Sequence, residues 1–282
     1  MGCPSIFVIG SLNVDLITRT TRVPAAGETI ISKSFDTGSG GKGANQAVAC
    51  ARLSRRNRED SVDMADVLVR MIGAVGDDPF GQNLVAEIPL DTTLRILDTA
   101  KKQAIPVLLN PAPAQVLPKE AYAAVTHLIV NESEAAIITN SSEKNLRWSE
   151  WGDHIERIVS LGVYHVIITL GAQGVVYLDT VRERQQIFAA HDVEVVDTTA
   201  AGDTFVGAYA VGVARARSPR SFADMVDVVD WANEAAAKTV QKSGAQSAIP
   251  WLEEVPRHLG TRHGHRGMSF AQWRMQADNW EV

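Results

Sequence analysis

Short apolar runs alternate along the chain with longer stretches in which apolar positions return every three or four residues. Residues 6–9 form such a run, closed by Gly10. Ala44, Ala47, Val48 and Ala51 then recur at helical spacing within 43–53, which predicts strand, loop, helix. The rhythm continues with a strand over 67–75, a helix face through Leu90, Leu94, Leu97 and Ala104, a strand over 107–109 and a helix from about residue 119. Further strands are expected over 128–130, 163–170 and 174–178, with an amphipathic helix over 151–161 among them, and two long helices over 202–216 and 222–240. Alternation of this kind predicts an α/β domain with a mostly parallel sheet covered by helices, spanning residues 1–255.

Two stretches break the pattern. Residues 55–66 carry alternating charges and read as a solvated surface loop. The segment 256–282 has no periodicity. It holds His258, His263, His265, Trp273 and Trp280, but no Cys or carboxylate completes a metal set beside the histidines, so an irregular tail is expected.

Charge and cysteine usage narrow the partners. The 282 residues include 27 Lys and Arg against 33 Asp and Glu, a net charge of −6 with no basic face, so neither nucleic acid nor an anionic membrane is expected. Cys3 and Cys50 lack CxxC spacing and suit a reducing compartment. No apolar run approaches the ~18 residues of a spanning helix, and no leader pattern opens the chain, so the expected location is the cytoplasm or the nucleus.

Gly38-Ser39-Gly40-Gly41-Lys42-Gly43 matches GxGxxG, yet residues 32–37 are polar and the preceding apolar strand ends near Gly10. A dinucleotide fingerprint belongs directly after its strand. A Walker A loop fails because Gly43 follows Lys42 where Ser or Thr is required. What remains is a set of approachable backbone amides, a lysine charge and a helix N-terminus, which suit a polar or anionic small molecule or a plain tight turn. The segment 197–204 ends one strand (Val193, Val195, Val196) and opens a helix with Phe205, Ala208 and Tyr209. Small residues leave the first-turn amides open as an anion hole beside the Asp203 carboxylate, an arrangement suited to phosphoryl transfer to an alcohol. The alternative is an Asp203 that serves only as a helix N-cap.

Gly10-Ser11-Leu12-Asn13-Val14-Asp15, the glycine segment 40–47, Gly76-Asp77-Asp78-Pro79-Phe80-Gly81, Asn110-Pro111-Ala112-Pro113-Ala114, Asn131-Glu132-Ser133-Glu134, Thr169-Leu170-Gly171-Ala172-Gln173-Gly174, 197–203 and Gly244-Ala245-Gln246 occur in one order across the chain. In this the sequence resembles the ribokinase-like sugar kinases of the PfkB group. The stretch 197–210 fits that group's C-terminal signature, whereas its N-terminal signature breaks after Ser54, with the expected glycine displaced to Gly73. The resemblance implies a three-layer α/β sandwich, ATP as phosphoryl donor and a sugar, ribose foremost, as acceptor. It implies that Asn13, Asp15, Gly41, Lys42 and Asn45 hold sugar hydroxyls, that Asp203 is the base, and that Ala200, Ala201 and Gly202 form the anion hole. Asn131, Thr169, Leu170, Gly171, Ala172, Gln173, Gly174, Gly202 and Asn233 would line the nucleotide site, with Glu134 as an indirect, water-mediated contact to Mg²⁺. Asp197 and Thr199, with carbonyls of Thr239, Lys242 and Gly244, would hold an activating K⁺, where Ala248 stands in place of a frequent serine.

The chain also departs from this group. Only 28 residues separate Gly81 from Asn110, and the expected helices over 80–87 and 90–103 meet through Pro89 with no strand between. The resemblance implies roughly 60 more residues there, carrying two lid strands, a core strand and a helix, and successive helices of a parallel sheet normally return through a strand. Glu87, next to the junction, would be the group's sugar-binding glutamate. An incomplete lid would weaken sugar binding and admit water, and it would remove half of the surface through which the group forms homodimers. A kinase for another sugar and a catalytically silent nucleotide-binding form are the alternative readings.

Overall fold

The structure, a computed structural model, describes residues 3–73, 88–140, 157–216, 222–255 and 268–269. Its elements in chain order are β1 (Ser5–Ile9), β2 (Asn13–Arg19), β3 (Ser34–Gly40), α1 (Lys42–Leu53), β4 (Leu68–Ile72), α2 (Leu90–Lys102), β5 (Leu108–Leu109) and α3 (Lys119–Tyr122). There follow β6 (His127–Asn131), α4 (Glu132–Ile138), β7 (His165–Thr169), β8 (Val175–Asp179), β9 (Arg184–Phe188), α5 (Ala201–Arg215), α6 (Phe222–Val240) and β10 (Met268–Ser269). The expected helix over 80–87, the motif 76–81, Glu87, the start of the helix over 151–161 and nearly all of the tail lie outside the described residues.

Six strands form one sheet in the order β10-β9-β8-β7-β6-β5. β5, β6 and β7 run parallel, and β8, β9 and β10 continue the sheet antiparallel. Side chains of β6 and β7 alternate between two cores. Leu128, Val130, Val166 and Ile168 meet Leu97, Tyr122, Ala135 and Ile138 on one face. Ile129 and Ile167 meet Phe205, Tyr209, Met225 and Val229 on the other. Both faces are therefore covered by helices, which explains the continuous apolar runs of the sequence and gives the expected α/β sandwich its three layers. Each such Leu, Ile or Val contributes about 1.5–3 kcal/mol by its removal from water.

β1 and β4 form a separate parallel pair, in which Phe7 lies opposite Arg70 and Ile9 opposite Ile72. Ile6, Val8 and Val69 pack inward with Cys50, Val67 and Val211. On the other face Phe7 is 55% and Ile72 51% exposed, where a parallel pair is ordinarily covered on both sides.

β2 and β3 make an antiparallel ribbon that the apolar pattern did not foretell, and it corrects the reading of 32–37 as loop. A strand does lead directly into the glycine segment, but it belongs to a two-stranded ribbon rather than to a parallel core sheet, so the dinucleotide reading gains nothing. The charged stretch 55–66 is largely exposed and tethered at its end. The Arg215 guanidinium donates to both Asp66 oxygens at 2.6 and 2.8 Å and to the Leu53 carbonyl at 2.8 Å.

Candidate active site

The ribbon register sets the residues expected to hold the sugar. Asn13 pairs with Gly40 and Asp15 with Gly38, so both side chains share one ribbon face, and a side chain at Gly40 would collide with the Asp15 carboxylate. Val14, Leu16 and Phe35 occupy the opposite face. Gly41, at φ 90°, turns the chain from β3 into α1, which places Lys42 and Asn45 in the first turn of that helix.

α1 and α5 approach closely at Gly207, where a Cβ would collide with Ala49 and stand 3.0 Å from the Gln46 carbonyl oxygen. One turn earlier on α5, Asp203 thereby reaches the start of α1. The amide of Asn45 donates to Asp203 Oδ2 at 2.9 Å and that of Gln46 to Oδ1 at 3.1 Å. Burial raises the Asp203 pKa, opposed by these two amides and by the Lys42 charge, while Glu134 adds to the rise. Asp203 is not the N-cap, which corrects that alternative. Ala200 holds the position in a left-handed conformation (φ 62°) with no side-chain cap.

The first intrahelical bond of α5 runs from the Thr204 amide to the Ala200 carbonyl at 2.8 Å, so the amides of Gly202 and Asp203 precede the ladder and remain available to an anion. A Cβ at Gly202 would meet nothing within 4 Å, so that glycine borders open space. Facing it, Asn131 caps α4. Its Oδ1 accepts from the Glu134 amide at 2.8 Å while Glu134 Oε2 accepts from the Asn131 amide at 2.9 Å. Lys42 Nζ reaches Glu134 Oε1 at 3.4 Å.

Seven residues singled out from the sequence therefore line one cavity of about 190 Å³, namely Lys42, Asn131, Glu134, Thr169, Ala200, Gly202 and Asp203. Asn110, which sequence reasoning left without a role, lines it as well. Asn45 is buried, and its Oδ1 has no partner among the described residues, so it suits a hydroxyl donated by a ligand.

The other expected residues fall into two groups away from the cavity. Gly174 (φ 101°) packs on the backbone of Phe188 to Ala190, and Asn233 Nδ2 donates to the Ala189 carbonyl at 2.9 Å, which brings Asn233 near the turn 171–173. Gly171, Ala172 and Gln173 are exposed there, whereas the Leu170 side chain is buried in the core and only its backbone adjoins the turn. In the second group, Asp197 accepts from the Thr199 amide and hydroxyl at 2.9 and 2.6 Å and from the Gly244 amide at 2.9 Å, and these bonds, the hydroxyl first, lower its pKa. Thr239 Oγ1 bonds Thr204 Oγ1 at 2.9 Å, which links α6 to the first turn of α5. Ala248 is buried and offers no oxygen on its side chain.

The profile of the pfkB family of carbohydrate kinases matches residues 4–89 and 83–252. The chain is 33% identical to ribokinase of Schizosaccharomyces pombe over 321 aligned positions, with 89% of this chain and 96% of that protein covered. It is 33% identical to ribokinase of Lactococcus lactis, with 90% and 96% covered. Both alignments are longer than the 282 residues of the chain. Among solved structures, ribokinase of Thermotoga maritima matches with a TM-score of 0.66 at 26% identity over 90% of this chain and 98% of that one. The Arabidopsis thaliana ribokinase complexed with ribose and ATP matches with 0.67 at 25% identity over the same shares.

Proposed function

The chain belongs to the pfkB family of carbohydrate kinases, phosphotransferases that act on sugar hydroxyls, and from that premise we propose that it transfers the terminal phosphoryl group of ATP to the terminal hydroxyl of ribose. The observation that carries this reading is one cavity in which a half-buried carboxylate, Asp203, adjoins unpaired helix amides. The acceptor hydroxyl gives its proton to Asp203 as its oxygen bonds to phosphorus and the bond to ADP breaks. The Gly202 and Asp203 amides, with Lys42, receive the negative charge of the transferring group. Asn13, Asp15, Gly41 and Asn45 orient the sugar. Asn131, the turn 169–174 and Asn233 hold the nucleotide.

Among the described residues no group of three or more His, Cys, Asp or Glu could hold a metal by itself. That fits Mg²⁺, which takes most of its ligands from phosphate and water, with Glu134 as its protein contact through water. When bound it neutralises phosphate charge. The all-oxygen donor set of Asp197, Thr199 and the carbonyls of Thr239, Lys242 and Gly244 fits K⁺, and Ala248 leaves that set one hydroxyl short.

The ribbon face bearing Leu16 and Phe35, 57% and 60% exposed, supports a homodimer built through β2 and β3. No helix among the described residues is long and apolar enough to cross a membrane, and the cytoplasm remains the proposed location.

A panel of ribose, 2-deoxyribose, fructose and a nucleoside, each assayed for ADP release with ATP, Mg²⁺ and K⁺, tests the acceptor. Ribose is expected to lead in kcat/KM by about tenfold. A higher value for another member reassigns the acceptor. The separate, half-bare β1–β4 pair favours a second reading, a nucleotide-binding form without turnover. Thermal stabilisation by ATP in protein that releases no ADP with any sugar would establish it.

A further inference from the structure

Gln46 sits one residue past a sugar-side asparagine, yet both hydrogens of its amide are engaged inside the protein. Nε2 donates to Asp203 Oδ1 at 3.1 Å and to Asn110 Oδ1 at 2.9 Å. Asn110, which follows β5, in turn donates through Nδ2 to the Ile129 carbonyl at 2.9 Å. The order of these bonds fixes the orientation of each group. A backbone carbonyl only accepts, so Asn110 must turn its NH₂ to Ile129 and its oxygen to Gln46. Gln46 must then present NH₂, never its oxygen, to the carboxylate.

We propose that Gln46, oriented by Asn110, is the positioning residue that aims the Asp203 carboxylate and keeps it ionised for proton abstraction. The inference rests on the reading of Asp203 as the base. Burial works against ionisation, and each donor bonded to the charged form works for it. The charged groups that face Asp203 are Lys42 on α1 and Glu134 on α4, of opposite sign. With Asn45 on Oδ2 and Gln46 on Oδ1, both oxygens are fixed, and rotation of the carboxylate is restrained before any substrate arrives. The relay also makes the base sensitive to β5, the outermost described strand of the six-stranded sheet on that side.

Three variants test this: Gln46→Leu, Asn110→Leu and the double variant. Each is assayed for kcat, KM and the acid limb of the kcat profile, and the Asp203 carboxyl is titrated by ¹³C NMR, its signal assigned by its absence in Asp203→Asn. The expected result in Gln46→Leu is a kcat about tenfold lower with KM for ribose and ATP within about twofold. The acid limb and the NMR midpoint should both rise by about one pH unit. Asn110→Leu, which touches no carboxylate oxygen, should shift both in the same direction, and the double variant should fall short of the sum. An Asp203 midpoint unchanged in a folded Gln46→Leu or Asn110→Leu protein overturns the proposal. A wild-type protein without turnover would sink the kinase reading instead, and the NMR midpoints would still decide the inference.

Discussion

Asn45 and Asp203, on two helices, meet amide to carboxylate at 2.9 Å, and the Asn45 oxygen left over is buried with no partner among the described residues. A buried acceptor without a donor is costly in the free protein and rewarding to a ligand that supplies one. Asn45→Leu should therefore bind ribose poorly, with its KM raised at least about tenfold, while thermal stability changes little because the orphaned acceptor goes with it. Steady-state kinetics beside a melting curve check both halves, and an unchanged KM would remove Asn45 from the sugar site.

Gly202 gives a sharper separation of function from stability. Its missing side chain would meet open space, so Gly202→Ala should fold and even gain about 0.5–1 kcal/mol from helix propensity. The same methyl would occupy the place proposed for the transferring phosphate. The expected outcome is a melting temperature equal or higher than wild type, no stabilisation by ATP, and no turnover.

Gly207 behaves in the opposite way, because there a Cβ collides with Ala49 and crowds the Gln46 carbonyl oxygen. Gly207→Ala should push α5 from α1, cost about 1–3 kcal/mol in denaturant unfolding, and lower kcat by separating Asp203 from its two amides.

The legibility of the sequence followed the range of the contacts involved. The strand-helix rhythm was readable because β6, β7 and β8 are buried on both faces and so consist of unbroken apolar runs, and the open first turn of α5 was readable because residues 200–203 build it locally. The β2–β3 ribbon was not, since Ser34–Gly40 is polar on both faces except at Phe35. The relay from Asn110 to Gln46 was equally hidden. Its members are 64 residues apart, and only the tertiary fold brings the residue after β5 to the first turns of α1.

Acid should destabilise the fold through a pair the reaction does not use. His127 and His165 stack at 4.8 Å in the interior, hydrogen-bonded through Nδ1 to the hydroxyls of Tyr209 and Tyr177. Burial, with the His165 charge adding to it, lowers the His127 pKa to about 3. The unfolded chain binds a proton near pH 6.5 that the folded protein refuses. Stability from the neutral ring is thus complete above that pH and is lost as pH falls toward 3, by up to about 1.4 kcal/mol per unit. Denaturant unfolding at pH 7.5, 6 and 5 checks the slope, and His127→Phe should flatten it.

Ala248 supplies no hydroxyl to the loop around Asp197 proposed to hold the cation, so activation by K⁺ should be weak and Ala248→Ser should strengthen it. Turnover measured against KCl at constant ionic strength reports the half-saturating concentration, which is expected to fall in the variant. An equal response in both proteins would place the cation elsewhere.

The central claim is that Asp203 is the base of a ribose-dependent phosphoryl transfer. Its most direct test is ADP release by purified protein with ATP, Mg²⁺, K⁺ and ribose, measured beside Asp203→Ala. Turnover should require ribose and fall by at least about a hundredfold in the variant. Ribose-dependent turnover that survives in Asp203→Ala, or none from folded wild-type protein, would contradict it.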